Sequence, residues 1–196
     1  MPEVIFNGPE GRIEGRYYHS KKHGAPVALI LHPHPQHGGT MNNKVVYAMY
    51  ENFIGRGFST LRFNFRGVGR SQGVFDNGQG ELSDAASALF GAWISMQLMM
   101  RRPEITGFIS VAPPASTNDF TFLAPCPASG LIVHGSADEV VPVSSVDKLA
   151  AKLSAQKNIE IDYRVVKGCN HFFNNHLPQL TDHLNDYLEK SLNEAA

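Results

Sequence analysis

The chain has 196 residues, 42% of them hydrophobic, and a net charge of −1 with a pI near 6.7, so it can bury one sizeable core and is most simply a single domain over 1–196. Near-zero charge gives no electrostatic case for nucleic acid or an acidic membrane, and no apolar run approaches a membrane-spanning length, which leaves small neutral molecules as the expected partners. Two cysteines in unrelated contexts make no disulfide framework, and the start Met-Pro-Glu-Val lacks a basic n-region and an apolar h-region, so a reduced, cytoplasmic protein is expected.

In chain order the pattern begins with strands and then alternates. Val4 to Phe6 and Arg12 to Tyr18 flank Asn7-Gly8-Pro9-Glu10-Gly11, which predicts a hairpin. Val27 to Leu31 is a continuous apolar run of the kind buried in parallel sheets. A helix is predicted from Asn43 to Arg56, then a strand from Ser59 to Phe65. Leu82, Ala85, Ala86, Leu89, Trp93, Met96 and Met100 keep a three-or-four spacing, so Leu82 to Arg101 reads as one helix, with Arg101 and Arg102 at its negative end and Pro103 as its stop. Further strands are predicted at Ile105 to Val111, Leu131 to His134 and Ile159 to Val165, with helices at Val143 to Gln156 and Pro178 to Leu192. Sheet with alternating helices is an α/β sandwich.

Two loops carry the chemistry. Leu131-Ile132-Val133-His134-Gly135-Ser136-Ala137-Asp138 is a buried strand emptying into an acid-bearing loop. Ile159 to Val166 breaks at Gly168 and presents His171 just ahead of a helix. Acid then histidine, each after its own strand, is the chain order of the α/β-hydrolases, in which the nucleophile comes first.

Together with Leu31-His32-Pro33-His34-Pro35, Gly38-Gly39-Thr40-Met41-Asn42-Asn43 and Arg62-Phe63-Asn64-Phe65-Arg66-Gly67-Val68-Gly69-Arg70-Ser71-Gln72-Gly73, these loops resemble a group of small bacterial α/β-hydrolases related to dienelactone hydrolase and the short serine esterases and peptidases. The resemblance implies a three-layer α/β-hydrolase sandwich with a mostly parallel sheet and an N-terminal antiparallel hairpin. It also implies catalytic roles for Asp138 and His171, and no cofactor and no metal. In that group a strand ending in Gly-Tyr-Ser-Phe-Gly follows the segment that resembles Glu81 to Leu89. This chain runs from Leu89 straight into Phe90-Gly91-Ala92-Trp93, the tail of that elbow. Roughly 20 residues, about two-thirds of a βαβ repeat, are missing, and with them the central strand and the serine. The strands that flanked it could then close up as neighbours.

Other residues could in principle fill the gap. Gly69-Arg70-Ser71-Gln72-Gly73 spells Gly-x-Ser-x-Gly, but an elbow needs a strand immediately before the serine and a helix immediately after it, so Ser71 reads as a structural loop residue. Cys169 lies two residues before His171, a poor arrangement for a nucleophile–base bond, and reads as a small buried thiol. Pro33 and Pro35 have no N–H, so the backbone donor between them is His34, the candidate oxyanion-binding amide. Two other readings of this loop are that its prolines stiffen it while the imidazoles bond backbone, and that His32, His34 and His37 bind zinc. The usual second oxyanion donor corresponds to Phe90. The expectation is an acyl-ester or thioester hydrolase that is inactive as written; the alternative is a non-catalytic α/β-hydrolase-fold protein that binds a small neutral acyl-type ligand.

Overall fold

In the computed structural model, which describes residues 3–88, 100 and 105–194, contacts gather the chain into two units, Met1–Ile94 and Ser95–Ala196. The first begins with the hairpin: β1 (Glu3–Gly8) runs antiparallel to β2 (Gly11–Tyr18), with Gly8 opposite Gly11. β3 (Val27–Ile30), α1 (Lys44–Gly55) and β4 (Ser59–Phe63) form a parallel crossover, and β2 pairs antiparallel with β4, giving the order β1-β2-β4-β3. Asn43 starts α1 by accepting the Val45 N–H at 2.9 Å, which satisfies a donor that the first helical turn leaves unpaired. The helix buries Val46, Tyr50 and Phe53. Phe63 meets Phe6 and Phe65 edge-on, with centroids 5.7 and 5.2 Å apart, a geometry that adds to simple area burial.

A buried ion pair holds the loop after β4. Asp84, on α2 (Gln79–Ala88), accepts from the Arg66 backbone N–H at 2.9 Å, from Nε at 3.0 Å and from Nη2 at 2.8 Å. The two side chains are 2% and 1% exposed. Gly80 makes room for the guanidinium, because a Cβ there would stand 2.1 Å from Nη1.

In the second unit β5 (Phe108–Val111), β6 (Gly130–Gly135) and β7 (Ile161–Val166) form a parallel sheet with β6 in the middle. All six residues of β6 are buried, which is why its sequence runs apolar without alternation. Between β6 and β7 lies α3 (Val143–Ser154), burying Val146, Leu149, Ala150 and Leu153. α4 (Leu177–Glu194) follows β7 and buries Leu180, Leu184 and Leu188.

The predicted elements are present, with shorter strands at β4, β5 and β7. α2 begins three residues before the apolar stripe, because Glu81 accepts the N–H groups of Asp76 and Gly78 at 3.0 and 2.8 Å and fixes the first turn. The single helix predicted from Leu82 to Arg101 is seen as far as Ala88; the remainder, including the Leu89–Phe90 junction, lies outside the described residues. Met100, which the stripe puts on the buried face, sits in a turn and is 43% exposed. Among the described residues no strand lies between β4 and β5 in the chain; β3 belongs to the sheet of the first unit and β5 to that of the second. None of the described helices is long and apolar enough to cross a membrane.

Replacing Asp84 by Ala would leave the Arg66 charge buried without its main partner. The expected loss is about 3–5 kcal/mol, read as a lowered urea midpoint. A loss under about 1 kcal/mol would show that water compensates, or Glu10, whose Oε1 lies 2.9 Å from Arg66 Nη1.

Candidate active site

The acid and base loops of the second unit meet because Gly135 has no side chain. A Cβ there would stand 2.3 Å from the Cys169 carbonyl oxygen. Three further bonds join the loops: Ser136 N–H to Val166 O at 3.0 Å, Ala137 N–H to Cys169 O at 2.9 Å, and Gly168 N–H to Ser136 Oγ at 2.8 Å. Gly168 turns the chain with φ 72°, a conformation that suits glycine. Asp138 and His171 are thereby brought together, with Nδ1 of His171 donating to Oδ2 of Asp138 at 2.8 Å.

The electrostatics of this pair follow from its partners. Oδ1 of Asp138 accepts the N–H groups of Val140 and Val141 at 2.9 and 2.8 Å. A carboxylate can only accept, so Nδ1 of His171 carries a proton, and in the neutral ring Nε2 then has the lone pair. The ring is 24% exposed while the Asp138 side chain is fully buried. Among the described residues nothing is hydrogen-bonded to His171 Nε2. This is the tautomer and orientation a general base requires.

Sequence reasoning missed His134 as part of this cluster. Its Nε2 donates to Val141 O at 3.0 Å and lies 3.7 Å from Asp138 Oδ2, so it backs the turn that holds the acid. Its Nδ1 is buried without a hydrogen-bond partner, and desolvation lowers its pKa despite the nearby Asp138 charge. The available signal was a histidine inside an otherwise unbroken apolar strand.

In the first unit the His32–Gly39 loop follows β3, with a short 3-10 turn at Pro35–His37. His34 O accepts the N–H groups of His37 and Gly39 at 3.0 and 3.2 Å, and its Nδ1 accepts the Gln36 N–H at 3.2 Å. The His34 N–H, the candidate oxyanion donor, has no acceptor among the described residues. His32 is buried, its Nδ1 donating to Pro33 O at 2.6 Å and its Nε2 accepting the Phe65 N–H at 3.1 Å. With both ring nitrogens engaged, His32 has no lone pair to offer a metal.

The Ser71 hydroxyl is held inside the fold. Its hydroxyl donates to Asn64 O at 2.8 Å and accepts the Glu14 N–H at 3.1 Å, and the residue is 7% exposed. Cys169 is fully buried, its thiol directed to Asn170 O at 3.3 Å. Phe90 lies outside the described residues.

Burial pushes the His32 pKa from 6.5 down to about 4, against the smaller raising effect of the Pro33 carbonyl. The unfolded chain therefore takes up this proton below about pH 6.5 and the folded chain only below about 4. Stability present at neutral pH is lost as pH falls across that window, on the order of 3 kcal/mol. His134 acts in the same direction. Thermal melts at pH 7 and 4.5 should show a smaller pH effect in His32→Asn than in the unchanged protein; equal slopes would remove His32 as the titrating group.

The chain is similar to several known proteins. The prolyl oligopeptidase family model matches residues 64–195, and the X-Pro dipeptidyl-peptidase (S15) family model matches residues 12–112. A crystal structure from Agrobacterium tumefaciens, of a protein of unknown function provisionally classed as an α/β hydrolase, is 57% identical, covers 98% of this chain and 97% of its own, and superposes with a TM-score of 0.96. An α/β serine hydrolase homologue from Coxiella burnetii is 36% identical over 95% of this chain and 97% of its own, with a TM-score of 0.85. An uncharacterised protein of Rickettsia prowazekii is 48% identical over 211 residues, covering 96% of this chain and 89% of its own length. With matches of this extent to models and solved relatives alike, the chain belongs to the α/β-hydrolase superfamily.

Proposed function

We propose that this chain retains the acid and base of an acyl-ester or thioester hydrolase and, as written, does not turn over by a covalent serine mechanism. The observation that carries the reading is the 2.8 Å bond from His171 to a buried Asp138, which leaves Nε2 with its lone pair, in a chain whose one Gly-x-Ser-x-Gly hydroxyl is spent inside its own loop. In a complete hydrolase of this kind a serine hydroxyl attacks the acyl carbonyl and Nε2 of His171 takes its proton. Asp138 stabilises the resulting imidazolium, and the His34 N–H receives the oxyanion. Without the serine, the base has no hydroxyl to activate. Loss of the nucleophile alone costs on the order of a millionfold in kcat in a well-studied serine hydrolase. The Rickettsia relative supports a shortened chain: its match runs over 211 positions but takes in 96% of the 196 residues here, about 188, so about 23 positions (211 less 188) have no counterpart.

A second reading is favoured by what surrounds His171. Phe172 and Val140 are 56% and 55% exposed, with Phe172 edge-on to the His171 ring at 5.3 Å. This apolar surface beside a polar pair suits a small neutral acyl-type ligand bound without chemistry.

The purified chain should neither hydrolyse activated esters nor take up a fluorophosphonate probe stoichiometrically. Ser71→Ala should lose about 1–3 kcal/mol of stability, since it strips a buried donor and a buried acceptor, with no effect on labelling. Inserting a strand and Gly-Tyr-Ser ahead of Phe90 should restore ester hydrolysis that depends on His171. Stoichiometric labelling of the unmodified chain, abolished by Ser71→Ala, would overturn the proposal. A ligand-dependent rise in Tm without turnover would favour the binding reading.

A further inference from the structure

The His32–Gly39 loop is held in a way that fixes one peptide unit. Of the described peptide bonds only Ala124–Pro125 is cis, so the Pro33–His34 bond is trans and its carbonyl and N–H point to opposite sides of the peptide plane. The carbonyl is gripped from two directions. His32 Nδ1 donates to Pro33 O at 2.6 Å, and Gly39 packs so closely that a Cβ there would stand 2.0 Å from the same oxygen. The grip is itself anchored outside the loop. Nε2 of His32 accepts the Phe65 N–H at 3.1 Å, which requires the tautomer with its proton on Nδ1, and the ring lies edge-on to Phe65 at 4.8 Å. His32 is 6% exposed, so the ring is buried with both of its partners.

We infer that His32 is a positioning residue: by holding the Pro33 carbonyl it sets the orientation of the His34 N–H and leaves that donor open to a ligand oxygen. The tautomer matters as much as the contact, because the ring must donate at Nδ1 and accept at Nε2 at once. The consequence for catalysis rests on the reading of His34 as an oxyanion donor; the orientation of the amide does not.

The side chain can be dissected by isosteres. Asn at 32 keeps a donor where Nδ1 stands, Gln keeps an acceptor where Nε2 stands, and Phe keeps the ring and loses both bonds. In ¹H–¹⁵N NMR spectra of the full chain, His32→Phe and His32→Gln should displace or double the His34 amide resonance. His32→Asn should return it close to its original position, while the amides of β7 stay unchanged in all three. Gly39→Ala should displace the same resonance by pushing on the same carbonyl. An unmoved His34 resonance in folded His32→Phe would overturn the inference. Should that variant fail to fold, equal behaviour of His32→Asn and His32→Gln would overturn it equally. In the protein with the serine elbow restored, His32→Gln should lower kcat on the order of a hundredfold, the cost of one oxyanion donor, with KM nearly unchanged. An amide that moves while kcat does not would refute the oxyanion role of His34 and leave the positioning role of His32 standing.

Discussion

The second unit depends on a backbone approach that only glycine permits. With any side chain at 135, the loop leaving β6 could not lie against the Cys169 carbonyl, and the acid would be carried away from the base. Once the two loops are laced together through Ser136, Ala137 and Gly168, the positions of Asp138 and His171 follow from backbone geometry rather than from their mutual attraction. That order of causes matters for preorganisation. On the proposed reading, a pair held by its scaffold is already in the arrangement that proton transfer needs, and two backbone N–H groups fix the other carboxylate oxygen of the acid.

The first unit applies the same logic to its own loop residues. Glu14, Asn64 and Ser71 form a buried network in which Glu14 Oε1 accepts from Asn64 Nδ2 and from the Arg70 N–H, both at 2.7 Å. Asn64 Oδ1 receives the Met41 N–H at 2.8 Å. Ser71 ties this network to β2. A motif that matches a nucleophile elbow in spelling thus serves as a structural knot, because no strand-to-helix turn exposes its hydroxyl. Buried hydroxyls with both functions satisfied resist ionisation and attack for the same reason that they stabilise a loop.

Acid, base and candidate oxyanion amide are each set by contacts local to their own unit. On the proposed reading, a chain without the elbow still holds its acid, its base and the candidate amide through these local contacts, which is why restoration of a strand and serine is a meaningful experiment rather than a redesign.

Much of this was legible in the sequence. The hairpin, the apolar strands and the helices at 44–55, 143–154 and 177–194 follow from periodicity and turn residues, which are local signals, while the pairing of Asp138 with His171 is expected from the resemblance of their loops to the α/β-hydrolase chain order. Tertiary structure decided what those signals cannot carry. The buried histidines are the clearest case: the sequence leaves His32 between bonding backbone and binding a metal and gives His134 no role, and only their surroundings reveal one gripping a peptide carbonyl and the other backing the acid. The context of Ser71 reads as a structural loop, but its partners, Glu14 and Asn64, lie 57 and 7 residues away, the first beyond any local pattern. Sequence by itself determined which residues could do chemistry and which elements would deliver them. The fold alone decided which hydrogen-bonding atoms are already spoken for, because that depends on contacts between segments far apart in the chain.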